Sequence, residues 1–248
     1  MIGAGRLRRW SHAGRVVLRE GVSQMRRVQL VVLAWTVMAG VIAGSPETSP
    51  ALGPKRCEAI LHVGDSLTLT MVPELLATYR SQGFQRVQWS AARGRSMHAP
   101  GRAPDKTSGL EAARKARSWS KARGLRPCWV IALGTNDAAG GSSRQLTRGI
   151  RKMLEIIDGD PAVWVNVWMF DTAPDTKFTA ANSLRFNRLL ASEAAKVDNL
   201  TVLDWAGFAQ PFQRRWYRPD HLHLNKLGLL NRARFVGIRA TALLRRAA

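Results

Sequence analysis

Residues 57–67 read CEAILHVGDSL: an apolar run, Ala59-Ile60-Leu61 and Val63, stops at a Gly-Asp-Ser turn. A short apolar run that ends in Gly and Asp reads as a buried strand feeding a loop. Ser66 then sits at the carboxyl end of a strand, which is where open α/β sheets hold their ligands. A single strand–Gly-Asp-Ser turn arises by chance, and alone it reads equally well as a serine capping a helix. Three later stretches carry the reading further: Arg93-Gly94-Arg95-Ser96, Gly134-Thr135-Asn136-Asp137 and Asp220-His221-Leu222-His223.

Strand-like and helix-like stretches alternate along the chain. Cys57–Val63, Val87–Ala91, Trp129–Leu133, Ala162–Phe170 and Leu200–Asp204 read as strands. Between them lie expected helices: one after the first strand that runs to about Tyr79 with Pro73 in its first turn, then Ser108–Arg123, Ser142–Ile157 and Asn182–Val197. A last helix is expected over Asn225–Arg245. Such alternation predicts an α/β fold, a flavodoxin-like three-layer sandwich around a central parallel sheet of about five strands, with right-handed crossovers. The loops after the first three strands then fall at one edge of that sheet. No internal repeat and no second domain is visible.

In this order the four stretches resemble the SGNH (GDSL) hydrolase family of esterases and lipases, from about Ala59 to the last helix. The Gly-Thr-Asn-Asp and Asp-x-x-His blocks are its specific part. The resemblance implies Ser66 as nucleophile, His223 as the base that takes its proton, and Asp220 as the carboxylate that fixes the imidazole tautomer. It also implies three oxyanion donors: the backbone N–H groups of Ser66 and Gly94, and the Asn136 side-chain amide. The Gly-x-Ser-x-Gly elbow of α/β-hydrolases is absent, because Asp65 and Leu67 flank Ser66.

Two cysteines, Cys57 and Cys128, each precede an expected strand. If those strands are parallel neighbours with their loops at one end, the cysteines meet at the other end, and neighbouring strands lie about 4.8 Å apart, within reach of disulfide geometry. A Cys57–Cys128 disulfide is therefore expected, the alternative being two buried free thiols. Of the five histidines, His221 and His223 form a His-x-His pair without an evident third ligand. No metal and no cofactor is expected. His62 reads as a core histidine and His221 as a loop residue near the mouth; His12 and His98 carry no assignment. Substrate contacts are expected from the loops Asp171–Phe178 and Pro211–Arg218, with Arg95 and Trp216 as the named candidates. An arginine beside an aromatic ring suits a sugar or an acidic group, although packing and a solvated rim explain the same residues.

Val28–Gly44 is seventeen residues without a charge, preceded by Arg26-Arg27 and followed by Ser45-Pro46-Glu47-Thr48-Ser49-Pro50. That layout predicts a secretory signal with cleavage after Ala43, or an uncleaved anchor. The reading divides the chain into a basic segment (1–27), a signal or anchor (28–44), a linker (45–56) and an exported hydrolase domain (57–248). Met25 is an alternative start. The chain carries 38 Lys and Arg against 17 Asp and Glu, a net charge of +21. Residues 1–44 hold only seven Arg and one Glu, so most of the excess lies beyond them. Such a field favours anionic neighbours such as acidic lipids or wall polymers; an Arg-rich solvated surface is the plain alternative, and no nucleic-acid-binding motif is present. The expected activity is cleavage of a small, glycan or lipid ester. Acyl transfer to an envelope glycan and non-catalytic envelope binding are the alternatives.

Overall fold

The computed structural model describes residues 57–170 and 177–247. The basic segment, the apolar stretch 28–44, the linker and residues 171–176 of one expected substrate loop lie outside them. In chain order the elements are β1 (Ala59–Gly64), α1 (Ser66–Leu69), α2 (Val72–Ser81), β2 (Val87–Ala91), α3 (Gly109–Lys121), β3 (Pro127–Ala132), α4 (Thr135–Gly140) and α5 (Ser143–Ile157). They continue with β4 (Ala162–Val165), α6 (Ala180–Ala194), β5 (Leu200–Leu203), α7 (Trp205–Ala209), a 3₁₀ turn (Gln210–Phe212), α8 (Gln213–Trp216) and α9 (Lys226–Ala247). All five strands pair in parallel, in the order β2-β1-β3-β4-β5. This is the flavodoxin-like order, whose direction of winding reverses beside β1.

The strands hold because alternate side chains feed two separate cores. Ile60, Val130, Val163 and Val165 point to the face covered by α2 and α9, with Met71, Leu75, Tyr79 and Val236. Leu61, Val63, Trp129, Ile131 and Trp164 point to the face covered by α3, α5 and α6, with Ala113, Ile150 and Phe186. Every residue of β1, β3 and β4 is buried. Burying one such large apolar side chain is worth about 1.5–3 kcal/mol. Helix starts are fixed locally: Ser108 with Glu111, and Ser142 with Gln145, form reciprocal capping boxes. These are the serines at which the sequence places the two helices.

The Cys57–Cys128 disulfide is formed, with Cα atoms 5.6 Å apart. It closes the sheet end away from the Gly-Asp-Ser turn, because Cys128 pairs with Ile60 near the start of β1 while Gly64 pairs with Ala132.

One strand is shorter than its apolar run predicts. AVWVNVWMF leaves the sheet after Val165. Side chains replace the ladder there: Asn166 Nδ2 donates to Asp204, Asn187 bonds both the N–H and the carbonyl of Val167, and Ser183 Oγ accepts from Met169 N–H. Val167, Trp168 and Met169 stay buried, so the run is apolar without being strand.

Candidate active site

The nucleophile turn is built by Asp65. Its side chain accepts from the Leu67 N–H at 2.9 Å and caps α1. Ser66 is thereby the first helical residue, and its N–H has no acceptor within the helix. Burial pushes the Asp65 carboxyl above the usual carboxylate range, against the opposing pull of the buried Arg232 guanidinium and the Leu67 N–H.

His223 reaches this turn from the far end of the chain. Its Nε2 lies 3.3 Å from Ser66 Oγ, and its Nδ1 lies 2.8 Å from Asp220 Oδ2. The other Asp220 oxygen accepts from the Leu222 and His223 N–H groups at 3.1 and 2.9 Å. Desolvation alone raises the Asp220 carboxyl, but these hydrogen bonds outweigh it and hold the group below its ordinary range, so it is ionised near neutrality. The turn closes because His221 adopts φ +52° and its N–H donates to the Arg218 carbonyl at 2.9 Å. Behind it, Arg218 N–H donates to the His223 carbonyl at 2.8 Å, and Asn225 N–H to the Trp216 carbonyl at 2.8 Å. His221 stacks on Phe170 with ring centroids 4.0 Å apart.

The loop after β2 and the turn after β3 are locked to each other. Asn136 Nδ2 donates to the Arg95 carbonyl at 2.9 Å, which leaves its second N–H for a further acceptor. Asp137 Oδ1 accepts from the Met97 N–H at 2.8 Å. Burial first, and the nearby Asp65 carboxyl, push Asp137 up to about 7 despite that bond. Gly134 turns the chain with φ +129°, and a Cβ there would run into the Phe186 ring, so both conformation and space require glycine. Gly94 sits exposed at φ +68° with open space around it; here the requirement is conformational only. Its N–H makes no hydrogen bond among the described residues.

Arg95 and Trp216 are corrections to the sequence reading. Arg95 is wholly buried. Its guanidinium donates to the Gly64 carbonyl at 3.2 Å, Ser90 Oγ at 2.9 Å and the Thr107 carbonyl at 3.0 Å, and it pairs with Asp105 at 2.8 Å. It ties the loop that carries Gly94 to the end of β1, and no part of it is left for substrate. We expect Arg95→Ala to destabilise the fold by about 2–4 kcal/mol, since unpairing a buried ion pair is costly and the partly exposed Asp105 reduces that cost. Urea unfolding measures it. Trp216 is buried too, stacked on Phe212 at 4.4 Å and Trp205 at 6.1 Å; it supports the hairpin bearing Asp220 and His223. The rest of the 211–218 stretch splits: Tyr217 is buried, while Phe212, Arg214, Arg215 and Arg218 remain exposed.

His62 is the core histidine the sequence predicts. It is buried against Tyr79 Oη at 2.8 Å and Thr68 Oγ1 at 3.3 Å, and burial, aided by Arg232, lowers it to about 3. Sequence reasoning did not assign Asp137, although it belongs to the quoted Gly-Thr-Asn-Asp block. Arg232, a buried cation inside α9, gave no sequence signal.

A sequence model of the GDSL-like lipase/acylhydrolase family matches residues 62–229, from within β1 to the start of α9. The chain belongs to this family. Among curated proteins, none is similar enough in sequence to match. The fold of this GDSL-like protein is shared with solved structures. One is the lipase/acylhydrolase from Enterococcus faecalis, with a TM-score of 0.59 and 14% identity, covering 75% of this chain and 96% of that one. Another is the C-terminal catalytic domain of the Streptococcus pneumoniae peptidoglycan O-acetyltransferase A, with 0.57 and 16%, covering 77% and 95%. A carbohydrate acetylesterase family member from Sinorhizobium meliloti gives 0.54 and 16%, covering 75% and 99%.

Proposed function

We propose that this GDSL-like protein is an exported serine ester hydrolase working through an acyl-enzyme. The observation that carries the reading is the relay from Ser66 Oγ through His223 to Asp220, with spacings of 3.3 and 2.8 Å. Ser66 Oγ attacks the acyl carbon as His223 Nε2 takes its proton, and Asp220 holds the imidazolium through Nδ1. The oxyanion so formed is received by the Ser66 and Gly94 N–H groups and by the unused N–H of Asn136. Collapse breaks the ester bond, and the leaving alkoxide takes the proton from His223. Water then attacks the acyl-serine, His223 accepts its proton, and the second collapse releases the acid and returns the proton to Ser66.

Export is supported by the uncharged stretch 28–44 behind Arg26-Arg27 and by the disulfide, which persists in oxidising compartments. With export and a basic surface, the substrate class is an acylated envelope glycan or lipid. A second reading replaces water by a sugar hydroxyl in the deacylation step, the reaction named for the Streptococcus pneumoniae neighbour. The test is turnover of p-nitrophenyl acetate, butyrate and octanoate by the full chain beside Ser66→Ala. Hydrolysis confined to the parent supports the proposal. Product that rises with added glycan acceptor while acid release falls identifies the transferase, and a folded parent that turns over nothing overturns hydrolysis.

A further inference from the structure

Beyond Asn136 the surface opens into a cleft of about 390 Å³, whose lining includes Ser96, His98, Asn136, Gln145, Arg148 and Lys152. Asn136 forms one wall, so the cleft begins at the amide assigned to the oxyanion. Its cationic wall is α5. Arg148 and Lys152 stand four residues apart, hence one above the other on a single helix face. Both are exposed, and neither makes an ion pair among the described residues. Both also border an adjoining groove, which Arg151 lines without reaching the cleft, and Arg151 is by contrast neutralised by Glu193 at 2.8 Å.

His98 completes the arrangement. α5 carries Gly149 where the loop after β2 crosses it, and a Cβ there would lie 3.1 Å from His98 Nε2 and 2.7 Å from Met97 Cε. The missing side chain lets the imidazole lie directly on the helix, beside the basic pair. Desolvation, then Lys152 and Arg148, hold His98 below its usual range, so it enters as a neutral hydrogen-bonding group. One carboxylate also lines the cleft, Asp137. One of its oxygens accepts from the Met97 N–H, and burial pushes the carboxyl up to about 7, so near neutrality it offsets at most part of one charge against the two of Arg148 and Lys152. Glu155 lies further along, in the adjoining groove.

We infer that this cleft receives an anionic group carried by the ester substrate, with Arg148 and Lys152 as its charge partners and His98 and Gln145 as hydrogen-bonding neighbours. The inference rests on the ester-hydrolase reading above and adds a substrate class to it: acyl esters bearing a carboxylate close to the scissile bond. The carboxylate can belong to the acyl half, as in a dicarboxylic half-ester, or to the alcohol half, as in an O-acetylated acidic sugar.

Two pairs of esters separate these sources in the full chain. Mono-p-nitrophenyl adipate against p-nitrophenyl hexanoate places the charge on the acyl half, on a chain too long for its carboxylate to cleave its own ester; 4-acetoxybenzoate against 4-acetoxybenzamide places it on the alcohol half. With rates normalised to uncatalysed hydrolysis, one anionic ester is expected to exceed its neutral partner in kcat/KM by about 10–100-fold at low salt. The ratio shrinks in 0.5 M NaCl, where exposed charges are screened. In R148A/K152A it falls to near one, and in R148E/K152E it inverts. The double alanine variant is still strongly basic overall, so loss of the ratio reads the cleft and not the general field. Ratios near one in the parent, or a ratio unchanged by the double variant, overturn the inference. Calorimetric titration of oligogalacturonate into the Ser66→Ala chain reads the same contact without turnover. Binding that disappears in R148A/K152A supports the cleft, and equal binding by both overturns it. If no ester is turned over, the hydrolase reading fails, while the titration still decides this one.

Discussion

Ser66→Ala and His223→Ala are each expected to lower kcat/KM for p-nitrophenyl acetate by about 10⁴–10⁶-fold, and the double variant to fall no further. The effects do not add because the two side chains act as one device. A serine hydroxyl is a weak nucleophile until a base removes its proton, and the imidazole that lies 3.3 Å from Ser66 Oγ has nothing to activate once that oxygen is gone. Asp220→Asn is expected to give a smaller but still large loss, about 10⁴-fold, because the amide favours the wrong imidazole tautomer. In this protein Asp220 also accepts from the Leu222 and His223 N–H groups. Asparagine keeps one acceptor oxygen for those bonds, so the loss falls on catalysis and not on folding. Stopped or steady-state hydrolysis beside circular dichroism separates the two.

Asn136→Ala is expected to cost about 10²–10³ in kcat with little change in KM, the signature of a donor used mainly in the transition state. The geometry makes this more than a lost contact. One Asn136 N–H is already spent on the Arg95 carbonyl, so the amide cannot rotate to relax toward a ground-state carbonyl. The other N–H is held before the reaction begins, which is the condition under which a donor stabilises charge without reorganising. Asn136→Asp is expected to be worse than alanine, since a carboxylate puts a negative charge where the oxyanion forms. The measurement is kcat and KM for p-nitrophenyl acetate, with the melting temperature as a control for the lost Arg95 bond.

Much of the architecture could be read from the residues because β1, β3 and β4 are apolar on both faces, a pattern that only a sheet covered on two sides accommodates. The Asp-x-x-His spacing was similarly readable: three residues bring a carboxylate and an imidazole together within one turn, and the structure folds them so. Where the reading failed, a tertiary partner decided the outcome. The run through Phe170 continues apolar past Val165, and only Asn187 and Ser183 on α6 show why its backbone leaves the ladder. Arg95 beside an exposed glycine looks like a surface cation; its burial depends on Asp105, ten residues on, and on the carbonyl of Gly64. Trp216 among arginines looks like a sugar platform, yet it is buried and stacked against Trp205 and Phe212. The basic wall of α5 was hidden for a different reason. Arg148 and Lys152 read as ordinary solvated helix charges until Gly149 is seen to let His98 lie beside them, in a cleft that Asn136 also lines.

The most direct test of the central claim, that His223 activates Ser66 as a nucleophile, is covalent labelling of the full chain with a fluorophosphonate, followed by intact mass and peptide mapping. The reagent forms a bond from phosphorus to an activated serine oxygen and expels fluoride. The account predicts one adduct, on the peptide containing Ser66, absent in Ser66→Ala and slowed at least about 10³-fold in His223→Ala. An adduct on another residue, or labelling of Ser66 at the same rate without His223, would contradict it.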